Sequence, residues 1–227
     1  MDRILMFSSG MDSFIMKSIY NFSNDECLFV RMGTEENKTE ELIINRDYPG
    51  VLKVDLPIAN FELPNKIIPF RNHFFALIGA EYSSKIYFAF TAGDTTKDKD
   101  FVFKSQMEGI FNYFASSPEK VKISNEQYII EMPFKMKTKT ELVKMYLEKG
   151  LNYNDLINHS SSCYSGNSCG ICRSCLRKYI ALKLNGINCE KDFINNPINQ
   201  LEDFYKECIA KNRGIETEEV KKCIELL

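Results

Sequence analysis

Cys163, Cys169, Cys172 and Cys175 fall within thirteen positions. If four thiols so close in sequence share one ligand, the backbone between them must fold into a tight knuckle. The spacing Cys-x5-Cys-x2-Cys-x2-Cys closes a tetrahedral four-sulfur site around Zn²⁺. Gly166 and Gly170 supply the sharp turns this requires. Four sulfurs leave no open position for water or substrate, so the expected zinc is structural. An iron–sulfur cluster is the rival. Ferredoxin runs of this kind finish in Cys-Pro, whereas Cys175 is followed by Leu176, which favours zinc. Cys27, Cys189, Cys208 and Cys223 are isolated and read as small buried apolar residues. Eight cysteines in 227 residues are too few for a disulfide scaffold.

Twenty-nine Lys and Arg against 31 Asp and Glu give a formal net charge of −2, which argues against a strongly basic nucleic-acid binder and against an acidic tail. The first apolar run, Ile4 to Phe7, is too short for a secretory core, and no run approaches a membrane span of about 20 residues. A cytoplasmic location with reduced thiols is expected.

Apolar runs of strand length alternate with segments of helical period. Ile4–Phe7, Cys27–Met32, Val51–Leu56, Ile86–Thr91 and Tyr128–Glu131 read as strands. Asp12–Tyr20, Thr39–Asn45 (Thr39 as N-cap), Phe70–Ser83, Ser105–Phe114 and Thr138–Gly150 read as helices. The last is the best marked, with Glu141 at capping-box spacing from Thr138 and Gly150 at its end. The alternation predicts an α/β fold with a parallel sheet flanked by helices. From Leu151 the pattern turns polar and cysteine-rich, then helical. The expected division is an α/β nucleotide-binding domain over residues 1–150 and a helical, zinc-binding C-terminal subdomain over 151–227.

Between the first strand and first helix lies Phe7-Ser8-Ser9-Gly10-Met11-Asp12-Ser13, followed by Phe14. A small-residue turn entering a helix N-terminus offers unpaired N–H groups and the positive end of the helix dipole to a phosphate. Ser8, Ser9 and Ser13 add hydroxyl donors. The plain alternative is a tight turn with Asp12 or Ser13 as helix cap. The loop is not a Walker A sequence, because no Gly-Lys-Ser/Thr follows. Its place after the first strand of an α/β sheet favours a ligand role. At Pro69-Phe70-Arg71-Asn72, Arg71 can fork onto a phosphate or carboxylate although its charge opposes the dipole of the helix it opens. His73 and His159 read as structural. Lys120, Lys122, Lys135 and Lys137 read as solvated charges, while Lys139 at the start of its helix can face a phosphate.

Together these motifs resemble the 7-cyano-7-deazaguanine synthase family, which belongs to the PP-loop ATP pyrophosphatases. The family loop reads Ser-Gly-Gly-x-Asp-Ser, and here Ser9 replaces the first glycine. Pro69-x-Arg71-Asn72, Gly93-x4-Asp98, Lys139-Thr140-Glu141, Ser162-Cys163-Tyr164, Cys169-Gly170-x-Cys172-x-x-Cys175 and Arg177 follow the family pattern. The resemblance spans nearly the whole chain. It implies a PP-loop fold and an ATP-dependent carbon–nitrogen ligase that converts 7-carboxy-7-deazaguanine and ammonia to 7-cyano-7-deazaguanine, a queuosine precursor, by way of an adenylated carboxylate and an amide. It further implies that Phe7, Ser8, Ser9, Gly10, Met11, Asp12, Ser13 and Phe14 bind ATP with Mg²⁺. Asp12, Ser13, Arg71 and Lys139 carry the catalysis, Arg71, Asn72, Gly93 and Asp98 contact the 7-deazaguanine, and the four knuckle cysteines bind Zn²⁺. A homodimer without direct nucleic-acid contact is expected from the same resemblance.

The chain departs from the family where Tyr-Pro-Asp-Cys-Arg is usual; it has Lys99-Asp100-Phe101-Val102-Phe103-Lys104. After the second strand, Gly33-Thr34-Glu35-Glu36 only partly follows Tyr-Gly-Gln. The first departure opens the alternative that the reaction stops at 7-amido-7-deazaguanine. Two rival functions are a PP-loop enzyme that adenylates a tRNA base for thiolation, and a non-enzymatic zinc-knuckle binding module. Iron in the purified protein would favour the first, and absence of pyrophosphate release with every acceptor the second.

Overall fold

The computed structural model describes residues 1–116, 127–161, 163, 165 and 167–227. Lys120, Lys122, Ser162, Tyr164 and Gly166, singled out above, lie outside the described residues. Five parallel strands form one sheet: β1 (Ile4–Met6), β2 (Cys27–Arg31), β3 (Leu52–Asp55), β4 (Lys85–Tyr87) and β5 (Ile129–Glu131), in the order β3-β2-β1-β4-β5. The order reverses direction at β1, whose neighbours are β2 and β4. Such a reversal opens a crevice beyond the carboxyl ends of the strands.

The alternation of side chains along the strands builds two apolar cores. Leu5 and Phe7, with Cys27 and Phe29, face one side of the sheet. Ile4 and Met6, with Leu28 and Val30, face the other. The first side is covered by α1 (Met11–Ile19), α2 (Glu35–Asp47), α5 (Lys139–Glu148), α6 (Tyr153–Asn158), α7 (Arg173–Lys183), α8 (Leu201–Ala210) and α9 (Gly214–Glu225). The second is covered by α3 (Arg71–Ala80) and α4 (Phe101–Ala115). The first core therefore draws on residues 1–150 and on residues 151–227 together. Among the described residues, no helix is long and apolar enough to cross a membrane.

Several boundaries differ from the sequence expectation for identifiable reasons. α2 begins at Glu35, not Thr39, because Thr34 is its cap and accepts from the Asn37 N–H at 3.2 Å. Asn37 is itself anchored to β2: it accepts from the Met32 N–H at 2.6 Å and donates to the Val30 carbonyl at 3.0 Å. α3 starts at Arg71 because Phe70 adopts a left-handed conformation, φ +58°. α4 starts at Phe101, four residues before the expected Ser105, because Asp100 caps it by accepting from the Phe103 N–H at 2.9 Å. β4 pairs only as far as Tyr87, after which the chain to Thr91 leaves the ladder and enters the site region. α5 carries the expected capping box between Thr138 and Glu141, and Gly150 follows it with φ +74°.

Candidate active site

The Phe7–Phe14 segment joins β1 to α1 at the carboxyl end of the central strand. Phe7 and Phe14 are buried in the first core, where Phe14 packs on Tyr48 and Tyr146. Phe7 also lines the cleft described below, whereas Phe14 does not. Gly10 is the N-cap of α1 with no side-chain cap, so neither Asp12 nor Ser13 caps the helix. The Ser13 hydroxyl donates to the Gly10 carbonyl at 3.0 Å. A Cβ on Gly10 would lie 3.1 Å from Ser8 Oγ, filling the hollow of the loop. Ser9 sits at φ +57°, a conformation that favours glycine, and its hydroxyl is buried without a partner among the described residues. The second buried orphan in the loop is Asp12 Oδ1. Of the two, Asp12 lines the cleft, where a polar ligand would complete its bonding.

Lys139, the first residue of α5, reaches the loop and pairs with Asp12 Oδ2. Arg71 and Asn72 open α3 on the opposite side of a cleft of ≈ 220 Å³, which the loop residues Phe7, Ser8, Gly10, Asp12 and Ser13 also line. Its walls include Phe29, Phe75, Phe88 and Phe90. Cations and rings are interleaved in this lining, with Arg71 6.0 Å from the Phe75 ring centre and Lys99 5.5 Å from that of Phe90, a mixture of charge and aromatic surface that suits a nucleotide. Asn72 Nδ2 donates to Asp98 Oδ2 at 2.8 Å, so two residues 26 positions apart in the family pattern meet directly. Gly93 lies elsewhere, in a smaller hollow of ≈ 70 Å³ against Glu216 of α9.

The sequence reading missed several residues that line these hollows. Glu36 and Glu40, one turn apart on α2, line both the main cleft and a second hollow of ≈ 150 Å³ beside Asp12 and Lys139. Burial, with Glu36 adding repulsion, pushes the Glu40 carboxyl up to about 8 against the pull of Arg71 and Asn37. Burial also raises Glu36, again opposed by Arg71. Asp94 lines the main cleft. Burial works against its charge, but Lys99, the Thr91 N–H and Lys139 together hold it well below the usual carboxylate range. Lys99 donates to it at 2.7 Å. The only local signal for Asp94 was its place next to Gly93. Glu36 and Lys99 entered the sequence reading only within the two segments that depart from the family pattern, and nothing signalled Glu40. Lys135 is a correction to the solvated-lysine reading: its ammonium donates to the Asp94 carbonyl at 2.8 Å and bridges two turns under the site.

The four knuckle sulfurs all lie within 4.8 Å of one another, with Cys169 and Cys175 at 3.9 Å. A tetrahedral zinc thiolate places its sulfurs roughly 3.8 Å apart, from Zn–S bonds of about 2.3 Å. The cluster therefore fits a metal such as zinc with little closure. Backbone N–H groups support the sulfurs, from Cys169 to Cys163 at 3.5 Å and from Cys172 to Cys169 at 3.3 Å. Gly170, at φ +78°, passes so close to the Asn195 carbonyl that a Cβ would stand 1.9 Å from its oxygen. Cys172 is also the N-cap of α7, which ties the cluster to that helix. Cys27, Cys189, Cys208 and Cys223 are fully buried in the first core, as expected of small apolar residues. His73 stacks edge-on between Phe70 and Phe103, and His159 Nδ1 lies 3.2 Å from Asp47; neither lines the hollows described above.

Comparison with known proteins relates the sequence to one family. Residues 51–186 match the family model described as queuosine biosynthesis protein QueC. The chain is 23% identical to a 7-cyano-7-deazaguanine synthase of Chlorobium luteolum over 227 residues, covering 87% of this chain and 98% of that protein. It is 31% identical to the 7-cyano-7-deazaguanine synthases of Rickettsia massiliae and Rickettsia conorii over 77 residues, 34% of each chain. No solved structure matches. A family model that covers more than half of the chain, in a fold that combines the β1–α1 loop with a four-cysteine knuckle, makes this protein a member of the queuosine biosynthesis QueC family.

Proposed function

We propose that the protein uses ATP to join 7-carboxy-7-deazaguanine and ammonia, giving 7-cyano-7-deazaguanine through the amide. The observation that carries this reading is the single cleft lined by both the Ser8–Ser13 loop and the Arg71–Asn72 corner, with Lys139 paired to Asp12 of the loop from the neighbouring hollow. A carboxylate is a poor electrophile because it would have to expel oxide. Transfer of AMP to its oxygen releases pyrophosphate and installs a good leaving group. Ammonia then attacks the carbonyl carbon, AMP departs, one proton is lost and the amide forms. A second adenylation, on the amide oxygen, lets AMP leave with that oxygen, and loss of the nitrogen's protons gives the nitrile.

In this reading the loop holds the ATP phosphates through the backbone from Phe7 to Phe14. Asp12 Oδ1, buried and orphaned among the described residues, is the oxygen free to take Mg²⁺. Arg71 and Lys139 oppose the charge that develops as pyrophosphate leaves. Asn72 and Asp98, fixed to each other, present hydrogen-bonding groups to the acceptor base, and Gly93 leaves space for the chain to turn beside α9. Zinc on the four cysteines serves the fold. The chain works without nucleic acid, as a homodimer in the cytoplasm.

Mass spectrometry of the products from ATP, ammonium and 7-carboxy-7-deazaguanine tests the proposal. It is supported by nitrile formation together with AMP and pyrophosphate. Pyrophosphate release that does not depend on the 7-carboxy acceptor would overturn it.

A further inference from the structure

We propose that Lys178, on the helix that leaves the cysteine knuckle, is a positioning residue that holds the Ser8–Ser13 loop in its ATP-binding shape. The proposal rests on the reading that this loop binds ATP.

Lys178 is 2% exposed, and it lies beside the ≈ 150 Å³ hollow shared with Gly10, Asp12 and Lys139. Its three hydrogen bonds go to neutral oxygens: Ser160 O at 3.1 Å, Ser160 Oγ at 3.1 Å and Ile157 O at 3.4 Å. An ammonium has three N–H donors, so all are committed to one short segment of chain. Burial lowers its pKa to about 8, a measure of how unfavourable this placement is for a cation. Cys175, Cys189 and Asp192 offset part of that cost, and removal of the ammonium would strip three oxygens of this donor. What the ammonium holds is therefore informative.

What it holds is the strand-like segment that grips the loop. The residue after Ser160, Ser161, donates its N–H to the Ser9 carbonyl at 2.8 Å and pairs with Gly10 as an isolated parallel bridge. Ser9 is the loop residue at φ +57°. A non-glycine residue stays in that region only when its surroundings over-determine it. Lys178 to Ser160, Ser161 to Ser9 is a continuous set of hydrogen bonds from α7 to that strained residue. The resemblance places a glycine where this chain has Ser9, and a glycine holds positive φ without such help. In this chain the latch does what the missing glycine would do.

The test is titration calorimetry of ATP with Mg²⁺ on the full-length, zinc-loaded protein. Wild type should bind. Lys178→Met should weaken ATP binding about tenfold or more, equivalent to about 1.4 kcal/mol. It should keep its zinc and a kcat at saturating ATP within about threefold of wild type, since the loss is of binding and not of chemistry. Lys178→Arg should recover part of the affinity. Adding Ser9→Gly to Lys178→Met should also restore affinity, which a purely structural lysine would not predict. Ser160→Ala, which removes one acceptor, should shift affinity the same way by less, and it carries the test if Lys178→Met does not fold. Wild-type affinity in folded Lys178→Met, or in Ser160→Ala when it stands alone, overturns the latch and leaves the functional reading intact. Failure of wild type to bind ATP overturns the ATP reading, and the latch falls with it.

Discussion

The side-chain amide of Asn72 donates to Asp98 at 2.8 Å, and the Asn72 N–H points to the same carboxylate oxygen at 3.4 Å. The start of α3 is thereby tied to the turn that leads into α4. Asn72 is 3% exposed, so its removal strands a carboxylate whose partner came from the interior. Asn72→Ala should cost about 1.5–3 kcal/mol of stability, the range for a hydrogen bond to a charged group. It should also raise KM for the 7-deazaguanine acceptor more than KM for ATP. Chemical denaturation and initial-rate kinetics check both.

Ser9→Gly should stabilise the protein. It removes a left-handed serine, which costs roughly 1–2 kcal/mol, and deletes a buried hydroxyl without a partner among the described residues. The flexibility glycine adds to the unfolded chain offsets part of this, so the expected net gain is about 0.5–1 kcal/mol. A fall in the denaturation midpoint would contradict it.

The cysteine centre should hold one zinc per chain by elemental analysis. Cys172→Ser should lose it and destabilise the C-terminal helices, because metal binding and folding are coupled. Gly170→Ala should do the same with all four sulfurs present, since its Cβ would collide with the Asn195 carbonyl at 1.9 Å. Full zinc content in a stable Gly170→Ala protein would show that the knuckle closes by another path.

Acid should reveal the Arg3–Glu26 pair, which pins β1 to the turn before β2. The hydrogen bond from Arg3 leads the causes that bring the Glu26 carboxyl down to about 2, against burial and with help from Ser23. A carboxyl lowered in the folded state stabilises above its ordinary pKa and loses that contribution as pH falls toward 2. The pair is partly exposed, so after screening the effect is about 1 kcal/mol. Arg3→Met should remove this component at pH 7 and flatten the decline in stability below pH 4.5.

Product identity is a separate prediction. Asp98 is engaged by Asn72 and Asp100 caps α4, so neither simply stands in for the absent Tyr-Pro-Asp-Cys-Arg segment. Asp94 and Lys99 occupy the cleft wall instead. Synthetic 7-amido-7-deazaguanine supplied with ATP should still be converted to the nitrile. Accumulation of the amide from the carboxylate, with no nitrile at long times, would place the end point at the amide.

What was legible in the sequence is what is local. The Thr138–Glu141 box, the strand-then-loop at Ile4–Ser13 and the cysteine spacing depend on neighbours a few residues away. The choice of Thr34 over Thr39 as a cap was not legible, because it follows from Asn37 bonding back to β2. Phe70 could not be foreseen in a left-handed conformation, since nothing about phenylalanine favours it. Glu40, Asp94 and Lys178 acquire meaning only when α2, the β4 turn and α7 converge, and no spacing rule joins them. Arg71 and Lys139 stood out by their charge at helix starts, whereas Asn72 and Asp98 were found through resemblance, and the fold then joined Asn72 to Asp98 and Lys139 to Asp12.

The bond from Ser161 to Ser9 spans most of the chain. During synthesis β1 and its loop emerge first, yet the contact that holds the loop cannot form until the segment before the cysteine knuckle has been made. The helices α7 to α9, which complete the cover over the Leu5 and Phe7 face of the sheet, come later still. A ribosome-bound chain stalled before residue 160 would present an apolar sheet face and a Ser8–Ser13 loop without its Ser161 contact, the kind of surface that chaperones bind. If the loop binds ATP as proposed, that binding has to wait until the chain has been made past Ser161.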